Sequence, residues 1–127
     1  LRRRADAVIT GSGTVLADAP LLTVRRVADP RRAPRRLAIL DRRGRVPGAY
    51  RAAAHERGLV PSIHADIPAL LADLAEGGAL EALVEAGPTL SNAFLAAGLW
   101  DERVVITKAA HAGDPDTVET TLRAAVI

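Results

Sequence analysis

Apolar positions along this 127-residue chain fall into short runs, separated by turn residues and by stretches of helical period. Residues 7–10 (Ala-Val-Ile-Thr) are apolar and rich in β-branched side chains between Asp6 and Gly11, which predicts a buried strand. Residues 14–17 follow as one helical turn, limited by Pro20. Residues 21–24 read as extended or loop, and the Arg-rich stretch 25–36, with Pro30 and Pro34, as a mobile surface loop. Residues 37–40 are a second buried strand, ended by Asp41 and Gly44. Helical character over 50–57 is modest, and Pro61 confines a strand at 59–63 to a sheet edge. Asp66 is an N-cap for a helix with Pro68 in its first turn, Leu70, Leu71 and Leu74 on one face, and Gly77-Gly78 as its stop. A strand over 80–84, a helix over 89–97 ending at Gly98 and a strand over 103–107 follow, with 117–127 either strand or helix. Strands alternating with helices imply a sheet with parallel members covered by helices, and the length fits a single domain over residues 1–127.

The core must be built from Ala, Val, Leu and Ile. Apolar residues make up 49% of the chain, yet it has one Phe, one Trp and one Tyr. So few aromatics leave little for base stacking, which argues against single-strand nucleic-acid binding. Residues 1–60 hold 14 of the 17 basic side chains and 5 of the 15 acidic ones, so an anionic ligand favours that half. The absence of cysteine excludes disulfides and thiolate metal sites. No apolar stretch approaches a membrane helix, and the basic start has no signal core behind it, so the expected location is the cytoplasm. The first residue is Leu rather than Met, and the chain runs into the first strand with no helix start signal, so further sequence is expected upstream.

Two segments carry chemistry. Gly11-Ser12-Gly13 and Glu85-Ala86-Gly87-Pro88-Thr89 each follow a predicted strand and open a helical stretch, which is how a sheet presents backbone N–H groups to a phosphate. The third glycine of a dinucleotide fingerprint is replaced by Leu16, and no acidic ribose ligand follows at the right distance, so the Rossmann pattern is rejected. A plain tight turn accounts equally well for the paired glycines. Thr14 and Asp18, four apart, share a face of a helical turn beside the first segment, although Asp18 before Ala19-Pro20 also suits a turn. Arg25 is suited to a bidentate phosphate contact. Glu85 stands at a strand's carboxyl end, where open α/β sheets bind ligands, and a phosphate fits the N–H groups of Thr89, Leu90 and Ser91. The alternative is an ordinary helix start with Glu85 as a surface charge. His55, His64 and His111 have no metal-ligand spacing, and no G-x-S-x-G elbow supports hydrolase chemistry.

Taken in order, the blocks Arg4 to Arg25 (R-A-D-A-V-I-T-G-S-G-T-V-L-A-D-x-P-x-L-T-V-R), Leu37 to Pro47, Leu83 to Leu90 (L-V-E-A-G-P-T-L) and Phe94 to Glu102 resemble the reductase domain of bacterial riboflavin biosynthesis, the carboxyl-terminal part of a bifunctional deaminase-reductase. The resemblance implies a dihydrofolate-reductase-like α/β fold, a mostly parallel twisted sheet with flanking helices, here incomplete at both ends. It implies NADPH-dependent reduction of the ribose of 5-amino-6-(5-phosphoribosylamino)uracil to the ribityl form, with no catalytic side chain identified. It places Thr14, Asp18, Gly87, Pro88, Thr89, Leu90, Ser91 and Asn92 on the cofactor, Leu22, Arg25 and Glu85 on the phosphorylated pyrimidine, and Arg25 on its phosphate. It also implies a homodimer without nucleic-acid or membrane partners and without a metal.

The chain departs from that pattern in four places. A strand with a Ser-x-Asp-Gly-like segment, expected upstream beside residues 7–10, is not in the sequence; residues 47–66 are short enough to have lost a strand or its connections; residues 108–127 lack the usual Leu-Gly turn and closing strands; and Arg42 stands where many members have Ser. A non-catalytic relative, serving as a binding or dimerisation module, is the alternative reading.

Overall fold

The computed structural model describes residues 2–23, 34–107 and 109–123. Its elements run β1 (Ala7–Gly11), α1 (Ser12–Asp18), β2 (Arg35–Leu40), α2 (Gly48–Glu56), β3 (Leu59–His64), α3 (Ile67–Glu76), β4 (Ala82–Val84), α4 (Pro88–Ala96), β5 (Glu102–Thr107) and β6 (Thr117–Leu122). The chain divides into two compact units, Leu1–Ser91 and Asn92–Ile127.

In the first unit β1 to β4 form a wholly parallel sheet in the order β3-β2-β1-β4. Successive side chains point to opposite faces of a strand, and both faces are covered. On one face Val8, Leu37, Ile39 and Leu59 pack with Val15 of α1, Leu22 and Ala54 of α2, and Val46 and Tyr50 close against them. On the other, Arg36 of β2 donates to Asp73 of α3 at 2.5 Å, and the α3 residues Leu70 and Leu74 are buried. A parallel α/β sheet flanked by helices is therefore the architecture, as the alternating pattern predicts.

Several boundaries differ for local reasons. The strand expected over 80–84 starts only at Ala82, because the Asp6 carboxylate takes the N–H groups of Leu80 (2.8 Å) and Glu81 (2.9 Å), and the Leu80 side chain lies in solvent. The loop expected over 25–36 gives way to β2 at Arg35; its guanidinium is buried, donating through Nε to the Ala5 carbonyl at 2.7 Å. The rest of that stretch, residues 25–33, lies outside the described residues. Pro61 sits in β3, the edge strand, as its missing N–H requires. Asp66 caps α3 as predicted, its Oδ1 accepting from the Ala69 N–H at 2.8 Å. The short span 47–66 holds α2 and β3. The strand expected upstream cannot lie beside β1, because β2 and β4 already occupy both of its edges.

In the second unit β5 and β6 pair antiparallel, Glu102 opposite Leu122 and Ile106 opposite Val118. Residues 117–122 are thus a strand, where the sequence left strand and helix open. The register puts Val104, Ile106, Val118 and Leu122 on one face of this two-stranded ribbon, and the last three are more than half exposed.

Candidate functional site

All four strands of the first sheet point the same way, so their carboxyl ends lie at one end of it. From β1 the chain goes to β2 and then β3 on one side, and returns to β4 on the other. The order reverses between β1 and β4, and in open α/β sheets that switch point is where a crevice for ligands forms. The two segments singled out in the sequence are the ones that leave β1 and β4.

They are joined there. The Gly87 N–H donates to Thr14 Oγ1 at 3.2 Å, and the Glu85 N–H donates to the Ile9 carbonyl at 2.9 Å, continuing the ladder one residue past β4. Thr14 and Asp18 share a face of α1, with Asp18 exposed as its last residue. A Cβ on Gly13 would meet nothing within 4 Å, and one on Gly87 only Thr14 Oγ1 at 3.9 Å, so both glycines open onto free space. At the start of α4, Pro88 has no N–H, and the Ser91 N–H and Oγ are taken by the carbonyls of Gly87 (3.1 Å) and Ala86 (3.2 Å). By position the Thr89 and Leu90 amides belong to the helix's first turn, where no intrahelical acceptor is available, whereas the Ser91 amide already donates within the turn. Asn92 is exposed on α4.

The Glu85 carboxylate is engaged through Oε2 by Arg2 Nε at 2.6 Å, in a pair that is about three-quarters shielded from solvent. Arg2 Nη1 also donates to the Thr23 carbonyl at 3.0 Å. One arginine thereby ties Glu85 to the segment that carries Leu22. The Leu22 side chain is buried in the core with a backbone φ of 56°, so only its main chain is available to a ligand. Arg25 lies outside the described residues.

A third group at this end was not singled out in the sequence. After β2, buried Asp41 accepts from the N–H groups of Arg45 and Val46, both at 2.9 Å, and Arg45 Nη2 donates to Ser12 Oγ at 3.2 Å. Burial pushes the Asp41 carboxyl up, but the N–H groups of Val46, Arg45 and Gly44 and the Arg45 charge outweigh it and hold the group below the usual carboxylate range. The loop 42–45 therefore brings a cationic rim to the β1–α1 turn. An Asp closing an apolar strand, with a glycine three residues on, was the available signal; Arg2 had none, since its partner is 83 positions away.

Ser62, His64 and Asp73 also come together, where the edge strand β3 meets α3. The His64 Nε2 faces both Ser62 Oγ (2.8 Å) and Asp73 Oδ2 (3.7 Å). A nucleophilic triad divides those partners between two ring nitrogens, so this cluster is not one. The Arg36 hydrogen bond holds Asp73 below its usual range against some desolvation, helped by the charges of Arg36 and His64. Among the described residues no group of three or more His, Cys, Asp or Glu could hold a metal ion, and no helix is long and apolar enough to cross a membrane.

The RibD C-terminal domain family matches residues 1–121. The chain belongs to this family. Family relatives include the riboflavin biosynthesis protein RibD of Mycobacterium tuberculosis, 40% identical over 101 residues, 76% of this chain and 29% of that protein. The Escherichia coli RibD is 33% identical over 138 residues, covering 83% of this chain and 37% of its own. Among solved structures, Acinetobacter baumannii RibD (form 2) superposes with a TM-score of 0.63 at 31% identity, covering 87% of this chain and 36% of that one. The family fold thus agrees with the α/β, dihydrofolate-reductase-like expectation, and the chain spans about a third of the length of these relatives.

Proposed function

We propose that the chain is the reductase part of a riboflavin-pathway protein, binding NADPH and the phosphorylated pyrimidine 5-amino-6-(5-phosphoribosylamino)uracil, and working as a homodimer in the cytoplasm. The observation that carries the reading is the joining of the β1–α1 and β4–α4 turns through Gly87 and Thr14 at the switch point of the sheet. The residues present fit such a cofactor: two glycines leave room for backbone approach, the Thr89 and Leu90 amides suit a phosphate, and Arg45 beside Ser12 adds positive charge. The bound nicotinamide supplies hydride for the C1 carbon of the ring-opened ribosylamine.

The chain's own residues bind and orient. Thr14, Asp18 and the start of α4 face the cofactor. Glu85, with Oε2 held by Arg2, presents Oε1 as an acceptor for a substrate hydroxyl, and its paired charge keeps it fixed in direction. The main chain at Leu22 and the side chain of Arg25 complete the substrate side, Arg25 as phosphate anchor. Holding donor and acceptor carbons in near-attack geometry is the main contribution the protein makes. The test is NADPH oxidation with and without the phosphoribosylaminouracil, alongside calorimetry of NADPH binding. Substrate-dependent oxidation is expected. Binding without turnover favours the non-catalytic module, and no NADPH binding overturns the reading.

A further inference from the structure

The segment that leaves α1 has an unusual backbone conformation. Ala19 has φ of 42° and Leu22 of 56°, two left-handed residues that are not glycine within four positions. L side chains adopt such backbone at a cost, so neighbouring contacts must hold it there. The Leu22 side chain is sunk into the core, and Arg2 holds the Thr23 carbonyl. Two residues before the first of those anchors, the Pro20 carbonyl accepts from the hydroxyl of Tyr50, in the first turn of α2, at 2.6 Å. The tyrosine is itself fixed: its ring packs on the core, and the Arg57 guanidinium lies 5.8 Å from the ring centroid. The buried Nε and Nη2 of Arg57 have no hydrogen-bond partner, and the ring face is the attractive surface beside them.

We propose that Tyr50 is a positioning residue for substrate, fixing through the Pro20 carbonyl the left-handed turn whose main chain at Leu22 faces the pyrimidine. This deepens the reductase reading and rests on it. Burial raises the phenol's pKa despite Arg57 nearby, so the hydroxyl remains a donor at neutral pH.

Tyr50→Phe keeps the ring, its packing and the Arg57 guanidinium beside the ring, and deletes the hydroxyl with its bond to the Pro20 carbonyl and its interaction with Arg57. KM for the phosphoribosylaminouracil should rise about three- to tenfold, the factor one hydrogen bond supplies, with kcat and NADPH affinity changed by less than about twofold. In native-state hydrogen exchange the amides of Leu21, Leu22 and Thr23 should exchange faster while those of β1 do not change. Unchanged KM and exchange overturn the proposal. So does a parallel loss of NADPH affinity and β1 protection, which would make Tyr50 a general prop of the fold. Absence of turnover in the wild-type chain counts against the reductase reading instead, and the exchange measurement then decides the role of Tyr50 by itself.

Discussion

Asp41 concentrates in one carboxylate what holds the cationic loop at the site. It is 6% exposed, accepts two backbone N–H groups of its own loop and lies beside Arg45. Its folded pKa lies below the ordinary value, so the stability it contributes is present above the unfolded carboxylate pKa. That stability is lost as pH falls through the folded one. Asp41→Ala should therefore lower stability by about 1–3 kcal/mol near neutral pH, the usual worth of hydrogen bonds to a buried charged acceptor. The gap between variant and parent should close as the pH is taken below the carboxylate range. Denaturant melts across that range check it, and a gap independent of pH would mean that the loss is packing rather than charge. The same variant frees Arg45 from its place beside Ser12, so weaker NADPH binding at neutral pH should accompany the lost stability.

The turn between β4 and α4 is the element on which the cofactor reading stands or falls. A Cβ on Gly87 meets only Thr14 Oγ1 at 3.9 Å, so the fold has room for a side chain that a docked phosphate would not share. Gly87→Val should leave the melting temperature nearly unchanged and weaken NADPH binding at least tenfold, about 1.4 kcal/mol. Calorimetry showing unchanged affinity would remove this turn from the site. Elements of this kind were legible because their signals are local: Val8 and Ile9 in a short apolar run, Asp66 three residues before the amide it caps, Pro61 barring an inner strand. What was not legible depends on distant partners. Asp6 shortens β4 by capturing two amides more than 70 positions away, and Arg2 reaches Glu85 across 83. Arg35 looked like a solvated loop residue because only the fold supplies the Ala5 carbonyl that lets its charge be buried. The place expected for an upstream strand beside β1 failed likewise, since strand order is a property of pairing and not of the strand's own residues.

Across the whole molecule the two units are unequally built. Residues 1–91 carry 14 basic and 10 acidic side chains, so the net positive charge lies in the unit that holds the two turns, while residues 92–127 carry 3 basic and 5 acidic ones. Burial is as uneven: the buried apolar side chains are those of the first sheet and its helices, and within the described part of the second unit Phe94 alone is among them. A two-stranded ribbon gains little stability without a hydrophobic face covered by further structure, and here Ile106, Val118 and Leu122 are largely in solvent. Local opening free energies range from near zero up to that of global unfolding and follow the density of buried contacts. The amides of Val104 and Ile106 should therefore exchange with solvent at least about a hundredfold faster than those of Val8, Ile9 and Leu37 under native conditions. NADPH should slow exchange further at the turns after β1 and β4 without protecting the ribbon. Equal protection of the two sheets, measured on dilute protein, would show that the ribbon is stabilised as strongly as the core and that the division into two units does not extend to their stability.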